Sequence, residues 1–126
     1  MIFEKLLQMS AMTRIELTSI APDVTCLTCH GNIRSADFQF ALRKLANNNG
    51  NLLIDLADAK LEVTGDEIRL IVQRSPAFTR IAIVACSAAQ YGLGRMYEML
   101  YDKRGEVAVF TAHDEAIQWV SRVPGH

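Results

Sequence analysis

Leu52-Leu53-Ile54-Asp55-Leu56, Ile81-Ala82-Ile83-Val84-Ala85 and Val107-Ala108-Val109-Phe110 are three short apolar runs separated by amphipathic stretches. Ile68 to Val72 lies between the first and second, Tyr91 to Tyr101 between the second and third, and Ala116 to Val123 after the third. Runs this short read as strands, and the stretches around them as helices. Strand, helix, strand, helix, strand, helix implies crossover connections and a largely parallel sheet. Arg80 to Cys86 is the most hydrophobic segment, which predicts a central strand buried on both faces.

Upstream, Arg14-Ile15-Glu16-Leu17-Thr18 alternates polar and apolar, Ala21-Pro22-Asp23 reads as a turn, and Val24 to His30 resumes as a strand that Gly31-Asn32 closes. Two strands so close together imply an antiparallel hairpin. Ser35 is the expected N-cap of a first helix, with Asp37 in its first turn and Phe38, Leu42 and Leu45 as its buried stripe. Asn47-Asn48-Asn49-Gly50 stops it. Thr64 and Glu67 have the spacing of a capping box for the next helix, whose apolar face is Ile68, Ile71 and Val72 and which Ser75-Pro76 ends.

A third helix is expected after Ser87 and as far as Lys103, with Leu93, Met96, Tyr97 and Leu100 inward, Lys103-Arg104 at its negative end and Gly105 as its cap. Asp114 and Glu115 open the last helix, which buries Ala116, Val120 and Val123. The expected fold is α/β, a mixed five-stranded sheet with about four helices: an N-terminal antiparallel hairpin, then parallel β-α units. It forms one domain over residues 13–123.

A chain of 126 residues buries roughly two-thirds of its unfolded surface, enough for one core without staples. The net charge of −1 and the scattered positive residues argue against a nucleic-acid binder. No run of about 18 apolar residues is present to span a bilayer. Met1-Ile2-Phe3-Glu4-Lys5 is not a secretory signal, and three cysteines, an odd count, fit a reducing compartment. The protein is therefore expected in the cytoplasm. Residues 1–12 read as a leader, with Ile2, Phe3, Leu6 and Leu7 on one face of an amphipathic helix. Such a helix would let the protein sit peripherally on the inner membrane face, although its polar side has few basic residues.

Cys26-Leu27-Thr28-Cys29-His30 has the spacing of covalent haem attachment. In a strand, however, Cys26 and Cys29 point to opposite faces, about 10 Å apart, so they close neither a disulfide nor a metal site. A redox or haem role through Cys26, Cys29 and His30 is the remote alternative, and no cofactor or metal is expected. Gly92-Leu93-Gly94 is half of a dinucleotide fingerprint, but Tyr97 stands where the third glycine belongs. Ala85-Cys86-Ser87-Ala88-Ala89 lacks the glycines of a nucleophile elbow, so no enzyme is indicated. Ligands of open parallel sheets bind beyond the carboxyl ends of the strands. That rule nominates Asp55, Ser87, Tyr91, Gly92, Arg95 and Met96 as the ligand-binding residues.

Several segments carry a resemblance. They are Gly31-Asn32-Ile33 before Asp37-Phe38; Leu53-Ile54-Asp55-Leu56; Ile81-Ala82-Ile83-Val84 followed by Tyr91-Gly92 and Arg95-Met96-Tyr97; and Val109-Phe110 followed by Glu115-Ala116 and Trp119. Their order and spacing over residues 13–122 resemble the STAS domain, and within it the SpoIIAA-like group. The resemblance implies a non-enzymatic binding domain. The group is similar in fold to CRAL-TRIO lipid-transfer domains, which points to a small apolar ligand or a membrane surface as partner. The alternative it implies is a protein-protein regulator of the anti-sigma-factor-antagonist kind. Those proteins carry a phosphorylatable serine at the start of the helix after the Asp-ending strand. Here that region reads Leu61-Glu62-Val63-Thr64-Gly65-Asp66, leaving Thr64 as the residue for phosphorylation. A homodimer suits a small apolar-rich domain.

Overall fold

The computed structural model describes residues 4–10, 13–45, 50–103 and 105–122, the first of these segments by its backbone. Strands β1 (Glu4–Ser10), β2 (Thr13–Ala21), β3 (Val24–Arg34), β4 (Asn51–Glu62), β5 (Arg80–Val84) and β6 (Glu106–Phe110) form one sheet in chain order. β1–β2 and β2–β3 are antiparallel, and the remaining pairs are parallel. The helices are α1 (Ser35–Arg43), α2 (Gly65–Arg74), α3 (Ala88–Leu100) and α4 (His113–Val120). No described helix is long and apolar enough to cross a membrane.

The mixed α/β sheet matches the expectation, with one strand more than the five expected. Residues 4–10 pair with β2 instead of forming an amphipathic helix. A segment of about a dozen residues is too short to hold a helix by itself in water, whereas the open edge of β2 satisfies its backbone groups. Residues 1–3 and 11–12 of the expected leader lie outside the described residues.

Each crossover steps the same way along the sheet, so connections of one hand place their helices on one face. Accordingly α1, α2 and α3 share a core with Ile15, Leu17, Leu27, Ile54 and Ile83, while α4 packs Ala116 and Val120 on the opposite face against Leu53, Ala82 and Val84. β5 is buried on both faces, as expected, but it is not central. It lies beside the edge strand β6 and is covered because Ile81 and Ile83 join the core under α1–α3 while Ala82 and Val84 pack against α4. β3 and β4 run on together past the end of β5, pairing His30 with Asp58 and, beyond the last β2 pair at Gly31, Arg34 with Glu62. Gly31-Asn32 therefore does not close β3; Gly31 takes φ 77 within the strand and the ladder continues to Arg34.

Helix ends show which local signals were sufficient. Thr64 Oγ1 accepts from the Glu67 N–H (3.3 Å) and Glu67 Oε1 from the Thr64 N–H (2.9 Å), the expected capping box. Ser35 is the first helical residue and not the N-cap; Asp37 Oδ2 instead accepts from the Arg34 N–H at 2.8 Å. α3 stops at Leu100, short of Lys103. Lys103 Nζ then donates to the Val72 carbonyl at 2.5 Å and so serves the end of α2. The expected stop at Asn47–Asn49 and the Val123 contact lie outside the described residues.

Tyr97 anchors α3 to the α2 terminus through a 2.6 Å hydrogen bond between its hydroxyl and that of Ser75. Burial pushes the Tyr97 hydroxyl up from 10.0 to about 12, against the pull of the Ser75 bond. The folded state thus keeps a proton that the unfolded chain releases at lower pH. The stability from the neutral phenol is complete below pH 10 and is lost as pH rises toward 12, on the order of 2–3 kcal/mol in all. Alkaline unfolding followed by circular dichroism is expected to show this loss, and Tyr97→Phe to flatten it.

Candidate functional site

β5 and β6 end side by side, with Val84 opposite Phe110. The chain leaves β5 for α3 on one face and β6 for α4 on the other, and a crevice opens where neighbouring connections diverge in this way. An open groove of about 540 Å³ lies there, lined by Ala85, Cys86, Ser87, Ala88, Tyr91, Gly92 and Thr111. Ser87 caps α3, its Oγ accepting from the Gln90 N–H at 3.1 Å. A side-chain carbon at Gly92 would meet nothing within 4 Å, so the groove stays open above that turn. Three of the six nominated residues, Ser87, Tyr91 and Gly92, are therefore together.

The other three point elsewhere. Asp55 is level with Val84 across the ladder, but its carboxylate faces His113 at the start of α4, with Nδ1–Oδ2 at 3.1 Å, and its other oxygen accepts from the Ala57 N–H. β4 also continues well past Asp55, so this residue is not at a strand end. Arg95 is exposed and pairs with Glu98 at 3.4 Å. Met96, expected in the inward stripe, is 36% exposed and turns toward α2, where a side-chain carbon at Gly65 would come within 2.9 Å of its methyl. The inward positions of α3 include Gln90, Gly94 and Tyr97. Gly94 fits because a side chain there would press on Val109 at 3.2 Å.

Sequence reasoning missed Gln90. Its amide is buried and donates to the carbonyls of Leu56 and Ala59, both at 2.8 Å, while its Oε1 accepts from the Cys86 N–H at 2.7 Å. The two bonds to Leu56 and Ala59 tie the first turn of α3 to the point where β4 shifts register, between its pairings at Thr28 and His30, and the third holds the β5–α3 connection at Cys86. A glutamine among small residues carries no periodic signal, and only the fold reveals its partners.

Behind α3 lies a second space, a partly open apolar cleft of about 30 Å³ between the helices and the sheet. Phe38 and Leu42 of α1, Ile68 and Ile71 of α2, Leu93 and Tyr97 of α3, and Ile54, Leu56 and Ile83 of the sheet line it, with Leu61 and Val63 at its side. No polar atom faces it, since the Tyr97 hydroxyl is taken by Ser75. It lies toward the carboxyl ends of the strands, Ile83 being the penultimate residue of β5.

The cysteines do not converge. Cys29 packs in the core beneath α1–α3, and Cys26 in the α4 core on the opposite face, as strand geometry requires. Burial raises both thiols, Cys29 well above the ordinary value, so neither is held as a thiolate. Cys86 is exposed on the groove. His30 lies between Glu16 (3.5 Å) and Asp58 (3.6 Å), and no cluster among the described residues is arranged to hold a metal ion. Thr64 is exposed at the start of α2, its hydroxyl engaged in the cap.

Comparison with known proteins bears on this geometry. The fold is similar to that of an uncharacterized protein of the DUF3478 family, with a SpoIIAA-like fold, from Shewanella loihica PV-4. The TM-score is 0.59 at 18% identity, covering 90% of this chain and 99% of that one. It is also similar to an anti-sigma factor antagonist from Mycobacterium paratuberculosis, with a TM-score of 0.55 at 10% identity and coverage of 97% and 96%. No curated protein matches the sequence. Residues 24–121, from the start of β3 to the end of α4, match the SpoIIAA-like family, and the chain belongs to that family.

Proposed function

We propose that this domain is a non-enzymatic binding module for a small apolar ligand, taken up between α2, α3 and the carboxyl half of the parallel strands. The observation that carries this reading is the cavity lined entirely by apolar side chains. An unfilled apolar space forfeits dispersion contacts along its lining, which an apolar guest would restore. A space without hydrogen-bonding groups excludes water in favour of hydrocarbon. Such a site recognises shape and apolarity, and it offers no group for acid–base or nucleophilic chemistry.

Native mass spectrometry of the protein purified without denaturation tests this reading. The expected spectrum contains a species heavier by the mass of a small organic molecule, which organic extraction removes. Protein that is empty as isolated, and that stays empty after incubation with benzene and short-chain alkanes, would overturn it. A phosphate-sized adduct on Thr64 in an otherwise empty protein would favour the partner-switching regulator instead.

A further inference from the structure

β6 is an edge strand whose main chain is matched on one side only. Its Glu106 N–H donates to the Thr79 carbonyl, and its Phe110 carbonyl accepts from the Ala85 N–H. Successive residues of a strand turn their main-chain groups to opposite sides, so Glu106, Ala108 and Phe110 serve β5 while Val107 and Val109 turn theirs outward. We propose that these outward groups pair with the same strand of a second copy of the chain. The two sheets then join across a two-fold axis at Ala108, with the two α3 helices side by side. This surface is separate from the cleft behind α3 and does not depend on how that cleft is read.

Three features select a second copy as the occupant. The first is register. In an antiparallel pair centred on Ala108, Val107 lies opposite the partner's Val109, and Val109 opposite the partner's Val107. Each of these pairs exchanges both of its N–H···O bonds, because all the groups concerned face the axis. Glu106 falls opposite the partner's Phe110, so no like charges are opposed. The second is spacing. A side-chain carbon at Gly94 would lie 3.2 Å from Val109 of β6 and 3.5 Å from Ile83 of β5, so α3 sits over the gap between these strands. With strands about 4.8 Å apart, the two-fold axis sets the α3 axes about 10 Å from each other, the distance of packed helices.

The third is charge. Met96 turns toward α2, and Gly94 and Tyr97 face the sheet, which leaves Tyr91, Arg95 and Glu98 on the flank toward the open edge. α3 runs opposite to β6, so the step back from Val109 to Ala108 advances about two residues along α3, from Gly94 to Met96. An axis at that level places Arg95 beside the partner's Glu98, and Glu98 beside the partner's Arg95. The other edge of the sheet lacks these qualities. β1 carries Lys5, and its pairing slips between Gln8 and Ser10, both of which keep an edge single. Glu106–Phe110 contains no lysine and no proline, and pairs with β5 in unbroken register.

Sedimentation equilibrium of the full chain is the test, with the parent expected to be a dimer at micromolar concentration. Val107→Pro removes an outward N–H without touching the bonds to β5, and is expected to be monomeric with an unchanged circular dichroism spectrum. Glu98→Arg sets like charges across the axis and is expected to weaken the dimer about tenfold, while combining it with Arg95→Glu restores the affinity. The charge variants keep the test decisive should Val107→Pro not fold. A parent that stays monomeric at millimolar concentration overturns the proposal. So does a dimer that neither Val107→Pro nor Glu98→Arg weakens, since its interface lies elsewhere.

Discussion

Replacing Gln90 by leucine will destabilise the fold by about 3 kcal/mol, although leucine is the more hydrophobic residue and a good helix former. The change removes all three bonds of the buried amide at once. The carbonyls of Leu56 and Ala59 and the N–H of Cys86 then lack their partner. A buried polar group left unpaired costs its full desolvation, about 1–3 kcal/mol, far more than a hydrogen bond contributes net. Gln90→Glu sharpens the test. Its ionised carboxylate would face two carbonyl oxygens, so burial and repulsion raise its folded pKa above the unfolded value. The penalty is full at neutral pH and eases as pH falls and the acid becomes a donor again. Urea unfolding of the two variants at neutral and mildly acid pH should show the glutamate variant regaining stability on acidification and the leucine variant staying flat.

Gly105→Ala is expected to cost a similar amount, on the order of 3 kcal/mol, for an unrelated reason. Gly105 has φ +120, a region that residues with side chains rarely adopt. A side-chain carbon there would also lie 2.2 Å from the Phe78 carbonyl oxygen and 2.8 Å from that of Thr79. Backbone atoms cannot move aside as a flexible side chain can. The Thr79 carbonyl also accepts from the Glu106 N–H at 3.0 Å, so any shift disturbs the start of β6. Thermal unfolding should show a large fall in midpoint. Gly92→Ala, where the added carbon meets nothing, should be neutral or mildly stabilising and serves as the contrast.

The parts legible in the sequence were those set by short-range physics. The apolar runs at Leu52, Ile81 and Val107 became parallel strands, and Thr64 with Glu67 closed a capping box as their spacing predicts. What escaped depended on partners distant in the chain. Gly31 reads as a terminator, but β4 offered β3 a ladder beyond it. Leu6 and Leu7 fit a helical face, but the edge of β2 supplied hydrogen bonds that an isolated helix could not match. Met96 fits an inward stripe, yet the close approach of α3 to β6 at Gly94 turns the helix so that Gly94 and Tyr97 face the sheet. For the site, the strand-end rule placed Ser87, Tyr91 and Gly92 on one groove. The apolar cleft behind α3 was invisible because its lining reads, residue by residue, as ordinary core.

Strand order equals chain order across the whole sheet, and this bears on how the protein is made. No strand has to be inserted between two already paired. A chain synthesised from its N-terminus can lengthen the sheet at one advancing border, each newcomer docking on the strand made just before it. Until β6 arrives, that border is Arg80–Val84, the segment with the least polar character and the least tolerance for water. Late synthesis is therefore the interval of greatest exposure to sticking between nascent chains, and a ribosomal pause there would be more harmful than one earlier in the message.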